Sequence, residues 1–122
     1  MKLAYVAGKY RGRTHNEIAQ NIHAARSVAT RLWELGYAVI CPHTNSGFMS
    51  GVAAEEVFLE GGLEMLRRCD LLVLVDGWAG SEGTAIEIEE AKRIGLPVFS
   101  DIEFVPPANV NQNERLAAVM GR

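Results

Sequence analysis

Five consecutive apolar residues, Leu71-Leu72-Val73-Leu74-Val75, run directly into the turn Asp76-Gly77-Trp78-Ala79-Gly80-Ser81 and then into a helix-forming stretch. A short unbroken apolar run bounded by turn residues fits a parallel strand buried on both faces. Such a strand needs helices above and below it, and parallel neighbours reached by crossover connections. The glycine-rich turn then lies at the strand's carboxyl end, where open α/β sheets leave a crevice for ligands.

The helix after that turn carries an acid in an unexpected place. Winding residues 84–95 at about 100° per residue gathers Thr84, Ile88, Ala91, Ile94 and Gly95 on one side. Glu82, Glu89, Glu90, Lys92 and Arg93 fall towards water, whereas Glu87 falls on the apolar side. An ionised carboxylate there costs free energy unless it is paired or hydrogen-bonded. Thr84-Ala85-Ile86-Glu87 also fits a capping box, in which Glu87 would bond back to the Thr84 amide. The segment taken alone favours the cap over a functional carboxylate.

The rest of the chain repeats the strand–helix pattern. Lys2 to Ala7 reads as a first strand, followed by the loop Gly8 to Arg13. Thr14-His15-Asn16-Glu17 is a second capping box, and Ile18, Ile22, Ala25, Ala29, Leu32 and Leu35 stripe the helix it opens. Gly36 ends that helix. Tyr37 to Cys41 is a second strand stopped by Pro42, with His43 to Val52 as a loop. A second helix spans Ala54 to Arg68. The third helix runs to Ile94, and Leu96 to Phe99 is a fourth strand. The expectation is a three-layer, flavodoxin- or Rossmann-like α/β fold with a parallel sheet of four to five strands in the order 2-1-3-4. Its switch point would set the Gly8–Arg13 loop against the Asp76–Gly83 loop.

With 122 residues the chain is long enough for one core. Residues 1–100 read as the α/β domain. Residues 101–122 read as a polar tail with a short helix over Glu114 to Met120, packing on the body or on a partner subunit. A net charge of −3 gives no drive towards nucleic acid or anionic membrane. No apolar stretch approaches the roughly 18 residues of a membrane span. The amino terminus reads as a strand, not a signal peptide. Cys41 and Cys69, the only two cysteines, fit reduced thiols in a cytoplasmic protein.

Several residues at the expected crevice have useful chemistry. Lys9, Arg11 and Arg13 place three cations in one loop, and Gly8 and Gly12 let its backbone approach a ligand. A helix start follows, so a 5′-phosphate would be held there; a solvated basic loop is the equal alternative. Ser81 and Gly83 begin the third helix and could bind a phosphate or sugar oxygen, or simply make a turn. Trp78 could stack on a base, although a packed indole is the commoner use. Cys41-x-His43 lacks the further ligands a zinc site needs, so no metal and no cofactor is expected. No GxGxxG, P-loop or GxSxG pattern occurs. Gly61-Gly62 falls inside the second helix, where each glycine costs about 1 kcal/mol relative to alanine; either the helix breaks or something approaches its backbone. Glu56, Glu60 and Glu64 share one face of that helix, and such a face is usually solvated.

Taken together these residues resemble the nucleoside 2-deoxyribosyltransferase superfamily, which includes a deoxynucleoside 5′-monophosphate N-glycosidase. The likeness covers Leu3 to Phe99. YVAGKYRG is similar to the family's opening strand and sugar-phosphate loop, and Ser81-x-Gly83-x-x-x-Glu87-x-x-x-Ala91 is the most specific element. The resemblance implies that Glu87 is a nucleophile attacking the anomeric carbon of a deoxyribosyl group. It implies substrate contacts from Gly8, Tyr10, Arg11, Gly12, Trp78, Ser81 and Gly83. A small nucleoside or nucleotide would be the partner, in a homodimer or larger homo-oligomer. The family's usual aspartate in the second helix is Gly62 here. Glu60, Glu64 or His43 would have to supply its acid–base role, though Glu60 and Glu64 each lie about 200° around the helix from Gly62. A nucleotide-binding module without turnover is the alternative, and a structural role with Glu87 as a mere cap is a third.

Overall fold

The computed structural model describes residues 1–108. Its strands are β1 (Leu3–Ala7), β2 (Ala38–Ile40), β3 (Leu71–Leu74) and β4 (Val98–Phe99). Its helices are α1 (His15–Glu34), α2 (Pro42–Asn45), α3 (Glu55–Leu66) and α4 (Glu82–Arg93), with a 3₁₀ turn at Ile102–Phe104. The strands form one sheet in the order β2-β1-β3-β4, and every pairing is parallel, as the sequence predicts. Tyr5 lies at the centre, with Ile40 beside it on β2 and Leu72 on β3.

Successive side chains of a strand point to opposite faces, and β1 and β3 divide accordingly. Ala4, Val6, Leu71 and Val73 pack against Ala25, Ala29 and Leu32 of α1. Tyr5, Ala7, Leu72 and Leu74 pack against Leu63 and Leu66 of α3 and Ala91 of α4. The result is three layers, with α1 on one face and α3 and α4 on the other. On α3, Leu59, Gly62, Leu63 and Leu66 face the sheet at i, i+3, i+4, i+7, the spacing of a buried stripe.

Two local expectations are corrected. Pro42 ends β2 but also begins a helical turn, because its fixed φ suits the first position of a helix; α2 occupies the start of the expected loop, with Pro42 and His43 in it. Of the two outcomes open to Gly61-Gly62, a broken helix is not found: α3 runs from Glu55 to Leu66, within the span expected for the second helix. The fourth strand is limited to Val98–Phe99.

Residues 101–108 are built onto the body. Asp101 Oδ1 accepts the Glu103 amide at 2.9 Å, and Val105 is buried in the α1-side core. Tyr37 Oη donates to the Pro106 carbonyl at 2.7 Å, and the Ala108 amide to Leu35 at 2.8 Å. The expected helix over Glu114 to Met120 lies outside the described residues. No helix among the described residues is long and apolar enough to cross a membrane.

Candidate active site

Glu87 is not a helix cap. The N-cap of α4 is Ser81, whose Oγ accepts from the Thr84 amide at 3.3 Å and from Thr84 Oγ1 at 3.0 Å. Thr84 is therefore inside the helix and buried. Glu87 stands one turn further on, facing the sheet. There the Tyr5 hydroxyl donates to Glu87 Oε2. The capping-box reading fails because the serine begins the helix three residues earlier than the threonine would.

The environment changes the carboxyl's chemistry. Burial pushes Glu87 up to about 7, against the opposing effect of the Tyr5 hydrogen bond. Removal from water disfavours the charged form, and a donor to the carboxylate favours it; here removal from water wins. Tyr5 is driven the other way from ionising, by its own burial and then by the neighbouring Glu87 charge. It therefore remains a donor throughout the neutral range. A carboxyl whose pKa burial raises in this way is a candidate for a functional site.

The loop after β1 runs close against the end of β3. Gly8 is buried, and a Cβ built on it would lie 2.7 Å from Val75 Cβ. Only glycine lets the loop after β1 pass so close to the end of β3. The loop is then pinned from several sides. His43 is buried with Nε2 at 3.1 Å from the Gly8 carbonyl and 3.0 Å from that of Lys9. Two acceptors on one nitrogen assign the proton to Nε2. Asn21 Nδ2 donates to the carbonyls of Tyr10 and Arg11 at 3.0 and 3.1 Å. Tyr10 Oη accepts the Phe48 amide at 3.0 Å, and its ring lies 5.9 Å from that of His43.

The cations have partners of their own. Arg11 pairs with Glu55 at the start of α3, and both side chains are exposed. Arg13 lies 3.8 Å from Glu17. Glu17 Oε2 also takes the Arg13 and Thr14 amides, and Thr14 Oγ1 takes the Glu17 amide. The capping box thus occupies amides that an anion would otherwise use at α1. Lys9, Arg11, Gly12, Arg13 and Glu17 line an open hollow. At α4 the arrangement is more open: Glu82 and Gly83 hold the first two positions after the cap, whose amides have no partner within a helix. Trp78 is half-buried against the cluster that contains Tyr5.

The three acid–base candidates are not gathered at Glu87. Glu60 is exposed. Glu64 is bound to Arg67 and Arg68 at 3.1 and 2.9 Å, and those hydrogen bonds hold its carboxyl below the usual range. His43 spends its Nε2 proton on the loop, and burial lowers its pKa. Among the described residues no group of three or more His, Cys, Asp or Glu could hold a metal. The sequence reasoning missed Tyr5, Asn21 and Glu55. For Tyr5 a signal existed: in Leu3–Ala7 it is the only side chain with a polar atom.

A family model described as a domain of unknown function, DUF4406, matches residues 1–100. The chain belongs to this family. DUF4406 has here the fold of solved structures of low sequence identity. A 2-deoxyribosyltransferase from the psychrotolerant bacterium Bacillus psychrosaccharolyticus is 23% identical with a TM-score of 0.57, over 79% of this chain and 69% of that one. A conserved protein from Enterococcus faecalis V583 is 21% identical with a TM-score of 0.65, over 99% of this chain and 76% of the other. No curated protein matches the sequence. The likeness to the 2-deoxyribosyltransferases that the sequence suggests is therefore met at the level of the fold.

Proposed function

We propose that this DUF4406 protein cleaves or transfers the N-glycosidic bond of a nucleoside or its 5′-monophosphate, with Glu87 as nucleophile. The observation that carries the reading is the half-buried Glu87 carboxyl, which loss of water contact brings to about 7 and which the Tyr5 hydroxyl holds against the sheet. Ionised Glu87 attacks the anomeric carbon, the bond to the base breaks, and its electron pair leaves with the base, which takes up a proton. A glycosyl ester on Glu87 remains. Water, or a second base, then attacks the same carbon and regenerates the carboxylate. Ser81, the α4 amides and Arg11 would face the phosphate, Gly8, Tyr10 and Gly12 the sugar, and Trp78 the base.

A second reading, nucleotide binding without turnover, draws on position 62. No second carboxyl joins Glu87 there, and Tyr5 is the only side chain among the described residues that hydrogen-bonds Glu87. The two readings separate in one experiment. Chromatography would follow free base released from ribo- and deoxyribonucleosides and their 5′-monophosphates, with Glu87→Gln in parallel. Release by the wild type alone supports the nucleophile. Saturable binding without release from any substrate supports the module, and equal release by Glu87→Gln removes Glu87 from the mechanism.

A further inference from the structure

α3 and α4 present matching stripes to the same face of the sheet. Leu59, Gly62, Leu63 and Leu66 form one, and Thr84, Glu87, Ile88 and Ala91 the other, both at i, i+3, i+4, i+7. Gly62 and Glu87 hold the same place in their stripes, and both meet Tyr5. Outside its own helix, a Cβ built on Gly62 would have one heavy-atom neighbour within 4 Å, Tyr5 Oη at 3.0 Å. Its neighbour Gly61 is exposed, and a Cβ there would touch nothing. The two glycines carry the same propensity cost in one helix, yet only Gly62 has a contact to account for it. Tyr5 is fully buried in the sheet's centre, so its ring has little room to retreat.

We infer that Gly62 is a positioning residue: its missing side chain lets the Tyr5 hydroxyl lie in line with Glu87 Oε2. The inference deepens the proposed function and rests on Glu87 being the reacting group. A methyl at position 62 displaces the hydroxyl and weakens the one hydrogen bond that favours the carboxylate. Two effects act on Glu87: burial, which raises its pKa, and the Tyr5 hydrogen bond, which lowers it. β1 contributes Tyr5, the turn after α3 contributes the thiol of Cys69 to the same cluster, and the α3 stripe contributes no ionisable group. A change in Glu87 titration on altering residue 62 therefore reports on Tyr5.

The test is a ¹³C NMR titration of the full chain labelled at glutamate Cδ, with the Glu87 signal assigned by its loss in Glu87→Gln. Tyr5→Phe and Gly62→Ala are each expected to raise the Glu87 midpoint by about one pH unit. Gly61→Ala is expected to leave it at the wild-type value. Tyr5→Phe/Gly62→Ala is expected to match Tyr5→Phe alone, because the clash partner is gone. A wild-type midpoint in Gly62→Ala or in Tyr5→Phe, a shift in Gly61→Ala, or a double variant shifted beyond Tyr5→Phe overturns the inference. If Gly62→Ala does not fold, the inference requires the double variant to fold, and a double variant that also fails overturns it. Base release by the same proteins tests the function separately, since the titration needs no turnover.

Discussion

The Tyr5 hydroxyl and the Glu87 carboxyl, 82 positions apart in the chain, are joined by a hydrogen bond between the centre of the sheet and the helix that covers it. The bond offsets only part of what burial does to the acid, whose pKa remains at about 7. Folding therefore favours protonated Glu87. The stabilising contribution of that proton is complete below the ordinary value of 4.5 and is lost as pH rises through 7.

Replacing the acid by its amide removes that dependence. Glu87→Gln keeps the shape and an acceptor for Tyr5 but cannot ionise. Its stability relative to wild type is expected to grow by about 3 kcal/mol at most between pH 4.5 and pH 8. Denaturant unfolding at several pH values checks this. A difference that stays flat would mean that Glu87 ionises as freely in the folded protein as in the unfolded one.

The same titration governs the proposed chemistry. Only the ionised carboxylate can attack, so kcat/KM for base release is expected to rise with pH through about 7, the value to which burial brings Glu87. The limb should move upward in Tyr5→Phe. A profile that is flat from pH 5.5 to 8 would dissociate turnover from Glu87.

His43 gives a stability signal of the opposite sign. Burial lowers its pKa below the ordinary 6.5, and Nδ1 is buried with no hydrogen-bond partner. A proton placed there has nothing to bond to. The neutral ring's contribution is full above 6.5 and is lost as pH falls through the lowered folded value. Thermal melts from pH 7.5 to 5 are expected to show a steeper loss in wild type than in His43→Gln. Parallel curves would show that His43 titrates without restraint.

The sheet order was legible because it follows from periodicity. The apolar run Leu71–Val75 and the striped helices leave few topologies for a parallel sheet. The odd placement of Glu87 was legible for the same reason, since a helical wheel assigns a side. Its partner was not, because a contact between β1 and α4 depends on the depth at which two layers meet. The capping-box match at Thr84 misled, because Ser81 offered an equally good cap one turn earlier. Gly62 was visible as an anomaly, whereas its meaning needed the position of one hydroxyl oxygen. The network of His43 and Asn21 around the loop was hidden because both side chains bond to backbone carbonyls, which leave no mark in a sequence.

Arg11 separates binding from stability. Its pair with Glu55 is exposed on both sides, and such pairs contribute little to folding. Arg11→Ala is expected to leave the melting temperature nearly unchanged. Under the proposed function it weakens binding of a 5′-monophosphate more than of the parent nucleoside, and the difference shrinks with added salt. Calorimetric titration of both ligands at two salt concentrations reads this. Equal losses for both would assign Arg11 to some other part of the substrate.

Ser81 has two roles that substitution can separate. Its Oγ accepts from the Thr84 amide and from Thr84 Oγ1, so its own proton remains to be donated. Ser81→Ala removes both the cap and the donor and is expected to cost about 1 kcal/mol of stability, whereas glycine at an N-cap costs only a few tenths. Ser81→Gly therefore nearly preserves the helix start while deleting the hydroxyl. If that hydroxyl binds phosphate, both variants lose the preference for a 5′-monophosphate over the nucleoside by a similar factor, although only the alanine variant melts appreciably lower. If the serine is a cap and nothing more, Ser81→Gly retains the wild-type preference, and any loss in Ser81→Ala follows its loss of stability.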